Sequence, residues 1–225
     1  MASSNATCLH HRLACAPRQW KAVADALDRD GRRQIEAGGG ALYGIWRSQI
    51  GRPRDELTAI TYWGGGEPAD DTVTAAFGNL AGLRDHEMRA MRPTLRPTSP
   101  APPTRQGNFA FRWFETPEVH WDEFLALSAK GWPDFEQSYD SQVIGLWRIV
   151  DGNPADAANG DIVTSLLLTR RPDLAMWERS KIPQGEKEIA MRETFNRRYD
   201  LCDSTVVYTM TLLTARDRED TARWT

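Results

Sequence analysis

Cysteine is scarce: Cys8, Cys15 and Cys202 are the only three in 225 residues. They form no C-x-x-C pair and no even set, which excludes a disulfide framework and a structural zinc quartet. Histidine is nearly as rare, at four. The H-x-x-x-H, H-E-x-x-H and clustered-carboxylate spacings are missing, so no tightly held metal is expected. No apolar run approaches the roughly 18 residues of a membrane span. The N-terminus carries polar and basic residues where a secretory leader needs its apolar stretch, so a cytoplasmic protein is expected. An excess of one charge is lacking too. The 28 Lys+Arg against 31 Asp+Glu give a formal charge of −3, too balanced for a dedicated nucleic-acid binder. With 40% hydrophobic and 26% charged residues, the composition is that of a globular chain able to bury a real core.

An internal repeat organises the chain. Tyr43-Gly44-Ile45-Trp46-Arg47 recurs as Ile144-Gly145-Leu146-Trp147-Arg148, a displacement of 101, and Trp20 and Trp121 obey the same displacement. Past an apparent five-residue insertion, Asp55 to Ile60 matches Asp161 to Leu166. Ala90-Met91-Arg92 then matches Ala190-Met191-Arg192 at a displacement of 100, with Phe77 and Trp177 in that register.

Periodicity assigns elements to each half. In the second half, Asn108 to Phe114 alternates as a strand, and Thr116 caps a helix opened by Pro117 and ending near Gln137. Val143 to Val150 and Ile162 to Thr169 are strands joined by a hairpin loop, Asp151 to Gly160. Pro172 to Trp177 and Lys187 to Phe195 read as helix, and Ser204 to Leu213 as the fourth strand. The first half repeats this with a strand near Cys8 to Leu13, a helix from Pro17 to Ala37 and strands Ala41 to Ser48 and Leu57 to Trp63. A second helix is expected near Leu83 to Met91. Its fourth strand is reduced by Pro93, Pro97, Pro100, Pro102 and Pro103 to a short edge or a linker.

The order β-α-β-β-α-β in each half predicts an α+β fold of two tandem ferredoxin-like repeats, residues 1–103 and 104–225. One such sheet leaves its helix-free face bare. Two copies cover each other and close a barrel within one chain.

The tandem G-[IL]-W-R strands, the Thr58 and Thr164 strands with their preceding acids, and the A-M-R segments resemble the NIPSNAP family and, more broadly, the dimeric α/β-barrel superfamily. That resemblance implies an intrachain barrel similar in architecture to antibiotic-biosynthesis monooxygenases, haem-degrading monooxygenases, and small-molecule isomerases and cyclases. It does not choose among their chemistries.

Duplication also filters candidate residues, because a polar group present in one half alone is not explained by the shared fold. Trp46 and Trp147 are expected in the core. Arg47 and Arg148 face the other way, toward ion pairs with Asp55 and Asp161 or toward an anion in a cavity. Arg112 alternates with Phe111 and Trp113, its counterpart is His11, and Glu115 lies on the same strand. His120 sits at the start of a helix beside Trp121, within reach of a pocket between helix and sheet. The catalytic candidates are therefore Arg112, His120, His11 and Glu115, with Arg47, Arg148, Tyr43 and Trp113 as substrate-binding residues.

The glycine runs at Gly38 and Gly64 lack the G-K-[ST] ending of a phosphate loop, and no G-x-S-x-G elbow is present. The leading expectation is a cofactor-independent isomerase, cyclase or monooxygenase acting on an aromatic or polyketide-like small molecule. The alternatives are a non-catalytic binding or stress-response protein and a haem-binding monooxygenase using His120. Neither nucleic acid nor membrane is expected as a partner. Residual edge strands and the charged tail from Ala215 leave room for a homodimer.

Overall fold

The computed structural model describes residues 6–150 and 161–217. The first half runs β1 (Thr7–Cys15), α1 (Trp20–Ala26), a π-helical turn (Leu27–Gly31), α2 (Arg32–Ala37), β2 (Gly40–Ile50), β3 (Glu56–Trp63), α3 (Asp70–Phe77) and β4 (Leu83–Arg96). The second runs β5 (Asn108–Pro117), a 3-10 turn (Glu118–His120), α4 (Trp121–Ser138), β6 (Gln142–Ile149), β7 (Ile162–Arg171), α5 (Leu174–Arg179), α6 (Gly185–Asp200) and β8 (Ser204–Leu212).

Among the described residues, eight antiparallel strands close into a barrel in the order β1-β3-β2-β8-β5-β7-β6-β4, with β4 returning to β1. Each half contributes its strands in one order, β4-β1-β3-β2 and β8-β5-β7-β6. The halves join where β2 pairs β8 and where β4 pairs β6. Strand alternation then sorts side chains into layers. Along β5, Phe109 and Phe111 point into the lumen with Trp46, Trp147 and Tyr208, while Phe114 packs outward under α4 and α6. The helices of the first half cover Leu9, Leu13, Ile45 and Leu57 in the same manner. The bare face expected of each sheet is thus the lumen, which an eight-stranded barrel makes just wide enough for side chains to fill.

The repeated G-x-W has a steric cause. A Cβ on Gly44 would lie 2.5 Å from the Trp46 ring, and one on Gly145 would overlap the Trp147 ring. Each glycine leaves the space into which the indole two residues on folds. Both strands also shift register at the same point, between Leu42 and Gly44 and between Val143 and Gly145, as a β-bulge does.

Several sequence expectations are corrected. Leu83 to Met91 is strand, and the helix expected there lies earlier in the chain, as α3. The outer part of β4 is solvent-exposed and rich in helix formers, so pairing with β1 and β6 overrides its local preference. Pro93 lies beyond the last β1 partner of β4, next to a register shift against β6, where a missing N–H is tolerated. Ala90-Met91-Arg92 therefore lies on a strand and Ala190-Met191-Arg192 on a helix, and their match is not structural. Trp46 faces Thr58 while Trp147 faces Leu166, so the displacement of 101 on β2 and β6 becomes 108 on β3 and β7. The intervening insertion is longer than the sequence match suggested. Thr116 ends a strand and bonds the Cys202 thiol instead of capping a helix. Among the described residues the closed barrel leaves no strand edge free, where residual edge strands were expected. The loop expected at 151–160, and the tail expected from Ala215 beyond residue 217, lie outside the described residues. No helix among the described residues is long and apolar enough to cross a membrane.

Candidate functional site

On the outer face of the second half, α4, α5 and α6 stand off the sheet and leave a cavity of roughly 100 Å³. Outward-facing residues of β5 and β7, among them Arg112 and Arg171, form its base. Met191, Phe195, Arg198 and Tyr199 recur at helical spacing along α6 and supply one wall. Trp132 and Phe135 of α4, with Tyr139 just past its end, supply the other, and Trp177 of α5 closes it. Gly131 allows the helices to meet, since a Cβ there would overlap the Phe195 ring.

Five cations line this cavity, Arg112, Arg171, Lys181, Arg192 and Arg198, and no carboxylate does among the described residues. Arg198 is 3% exposed and lies among the rings of Phe195, Phe114, Tyr199 and Phe124 at 4.8–5.6 Å. Its Nη1 donates to Ser128 Oγ at 3.4 Å, and its Nε has no hydrogen-bond partner. Arg171 lies over the rings of Trp177 at 4.4 Å and Phe135 at 4.9 Å and donates to Thr169 Oγ1 at 3.2 Å. Arg112 lies 5.4 Å over Tyr199 and donates to Thr205 Oγ1 at 3.3 Å. Arg192 donates to the Ser180 carbonyl, and among the described residues Lys181 alone of the five has an acidic partner, Glu178. Burial pulls the Arg171 guanidinium down to about 10 and lowers Arg198 as well. Aromatic faces compensate such charges only in part, and the remaining cost favours an anionic ligand.

Tyr199 is the unusual acid of the cavity. Burial alone would raise its phenol, but the charges of Arg198, Arg112 and Arg171 and a hydrogen bond from Arg198 hold it below its ordinary value. Tyr139, on the opposite wall, moves the other way because burial and the neighbouring Glu188 raise it.

Of the eight residues singled out from sequence, Arg112 alone lines this cavity. Its counterpart His11 is fully buried in the first half, bonded to His86 Nε2 and Thr61 Oγ1 at 3.0 Å each and stacked on Phe77 at 4.1 Å. Burial and the neighbouring His86 and His10 push it well below the usual histidine range. The two occupy matching positions under different helix layers, and no common cavity holds them. Trp113 faces the lumen and donates from Nε1 to the Tyr208 hydroxyl at 3.2 Å. Tyr43 is buried in the lumen core, edge-on to Trp147. Glu115 is exposed at the strand end and accepts from Ser204 Oγ at 2.7 Å.

Arg148 pairs with Glu118 at 2.6 Å in place of the expected Asp161. Arg47 stacks at 3.8 Å on Trp20 with the charge of Asp55 acting in its favour, and Asp55 also accepts from the Arg18 amide. His120 lies in the 3-10 turn before α4, outside the cavity, and no histidine among the described residues lines the helix-side cavity. A haem held there by His120 does not fit.

Arg171, Arg198 and Tyr199 escaped the sequence reading. With the ladder displacement of 108, the counterpart of Arg171 is Trp63, so the one-sided filter finds it once the insertion has its true length.

No family model matches the chain, and no curated protein matches it. Solved structures do. A putative monooxygenase from Lactobacillus acidophilus superposes with a TM-score of 0.56 at 10% identity, covering 94% of this chain and 98% of that one. An anthrone oxidase-like protein gives 0.54 at 11%, covering 99% and 98%. A variant of chlorite dismutase from Candidatus Nitrospira defluvii gives 0.53 at 8%, covering 94% and 92%. At these identities the likeness establishes the fold, a dimeric α/β barrel, and nothing finer.

Proposed function

We propose that the chain is a cofactor-independent enzyme that moves a proton on an acidic, aromatic or polyketide-like small molecule held in the helix-side cavity. The observation that carries this reading is the placing of the Tyr199 ring against Arg112 and Arg198, with Arg171 in the same cavity, where aromatic rings and, among the described residues, no carboxylate line the wall; these charges hold the phenol below its ordinary value. Arg171 and Arg198 hold the ligand's carboxylate, and Trp132, Trp177 and Phe135 pack its ring. The Tyr199 phenolate takes a proton from the carbon next to the ligand's carbonyl, and the electron pair of that C–H bond moves onto the carbonyl oxygen. Arg112 stabilises the resulting enolate. Return of the proton from the Tyr199 hydroxyl to another carbon of the conjugated system completes an isomerisation, with no other reactant consumed.

Residues 1–103 and 104–225 are read as tandem ferredoxin-like copies, and the NIPSNAP kinship rests on the two G-[IL]-W-R strands. The names of the solved structures of this fold agree with a small-molecule enzyme at the level of architecture only. Phenylpyruvate, which is aromatic, acidic and enolisable, serves as the probe. The full chain is expected to speed exchange of its methylene protons with deuterated solvent, followed by NMR. Tyr199→Phe should slow that exchange at least ~100-fold with binding changed less than about threefold. Binding without accelerated exchange would leave a non-catalytic binder, and exchange retained in Tyr199→Phe would remove the role given to this phenol.

A further inference from the structure

The barrel wall keeps its cations in two different ways. On one side the lumen opens into a cavity of about 340 Å³, whose lining includes Trp113, Tyr208, Arg12, Arg52 and Arg89. The guanidiniums there are matched. Glu56 bridges Arg52 at 2.6 Å and Arg12 at 2.8 Å, Glu87 meets Arg12 at 2.8 Å, and Arg89 is engaged as well. This lumen cavity shares no lining residue with the helix-side cavity on the other side of the wall, where the matching stops.

Among the described residues, Lys181 of the helix-side cavity meets Glu178, whereas Arg112, Arg171, Arg192 and Arg198 meet no carboxylate. A Tyr199 phenolate offsets one of these four charges and a single carboxylate on the ligand a second, which leaves two uncovered. Arg171 and Arg198 each keep a buried Nε without a hydrogen-bond partner besides. Guanidiniums withdrawn from water need a counter-charge, and here the ligand has to bring more than one.

The cations also fall into two groups along α6. Arg198 lies six residues beyond Arg192, about 9 Å along the helix axis. The inner group is Arg198 with Arg112, both against the Tyr199 ring. The outer group is the half-buried Arg192 with the exposed Lys181. Arg171 stands between them, close enough to Arg112 and Arg192 for both charges to act on it. Arg192 gives one N–H to the Ser180 carbonyl, and a guanidinium has five.

We infer that the substrate is a dianion, an aromatic keto acid with a second acidic group on its ring. Arg171 and Arg198 hold the first carboxylate, and Arg192 with Lys181 holds the second at the outer end of the cavity. The inference rests on the reaction proposed for this cavity and adds to it the class of substrate.

Calorimetric titration of the full chain with three compounds tests it: phenylpyruvate, 4-carboxyphenylpyruvate, and 4-carbamoylphenylpyruvate, which has the shape of the di-acid without its second charge. The di-acid is expected to bind at least tenfold more tightly than phenylpyruvate, and the carbamoyl compound within threefold of it. Arg192→Gln keeps a donor for the Ser180 carbonyl and should cut the preference for the di-acid to less than threefold. The inference is overturned by equal affinity for the di-acid and phenylpyruvate, by an equal gain from the carbamoyl group, by a preference that survives Arg192→Gln, or by no binding of the di-acid. Deuterium exchange separates this failure from that of the proposed reaction. Accelerated exchange of phenylpyruvate without a preference for the di-acid keeps the reaction and removes the dianion; a preference that depends on Arg192 without exchange of either compound keeps the dianion site and removes the reaction.

Discussion

Arg112 and Trp113 are consecutive on β5, yet the guanidinium enters the helix-side cavity and the indole enters the lumen cavity. One peptide unit of the barrel wall separates two chemically different spaces. The period-two geometry of a strand is sufficient to produce this, because successive side chains leave the sheet on opposite faces. A change at one of the two positions should be felt in one cavity only.

Arg112→Ala removes one of the positive charges that hold the Tyr199 phenol below its ordinary value. Its pKa is expected to rise, since the phenolate loses a favourable neighbour. Ultraviolet difference titration of the tyrosines should show the transition moving to higher pH, while the Trp113→Phe control leaves it in place. An unchanged transition in Arg112→Ala would mean that Arg112 does not contribute to the lowering.

Arg198→Met exchanges a buried guanidinium without a carboxylate partner for an apolar side chain of similar length. Such replacements are neutral or stabilising, and a gain of about 1–2 kcal/mol is expected from chemical denaturation. The same variant should lose most of its affinity for phenylpyruvate. Lower stability together with retained affinity would contradict the view that this charge is kept for a ligand.

The buried histidines set the response to acid. His10 is held down to about 3, and His11 lies well below the usual range. Their unfolded forms take up protons below about pH 6.5, where the folded forms do not. Stability is therefore present in full above that pH and falls as the solution is acidified toward pH 3, by at most about 1.4 kcal/mol per pH unit for each histidine. Arg52, Arg89 and Arg12 around His10, and His86 beside His11, all act in this direction. Denaturation curves measured from pH 7 to pH 4 should show the loss, and His11→Gln should flatten it.

Gly145→Ala places a methyl group against the Trp147 ring, which is fully buried. Overpacking of this kind costs roughly 1–3 kcal/mol. Urea denaturation should register the loss. A second substitution, Trp147→Leu, should make Gly145→Ala nearly neutral, because the clashing ring is gone.

What could be read from sequence follows from how local each signal is. The G-x-W strands and the tryptophans opening α1 and α4 declared themselves, because a glycine and an indole at fixed spacing solve a packing problem within a few residues. β4 did not, since its outer part is exposed and its strand character comes from partners far away in the chain. The candidate site was legible at Arg112, which has an aromatic on either side, and illegible at Arg171 and Tyr199. Their significance depends on β7 and α6 meeting across the cavity, and on an insertion whose true length only the ladder registers reveal.

The barrel wall is continuous around its whole circumference among the described residues, and this governs how the molecule can fail. A second copy finds no template on which to extend a ladder, so fibre growth by strand recruitment is barred while the ring stays shut. Misassembly has to begin with rupture where β2 meets β8 or where β4 meets β6. Both contacts are interrupted by a register shift, between Ser48 and Ile50 in one and between Pro93 and Arg96 in the other, so the ring is weakest at the two places where the halves meet.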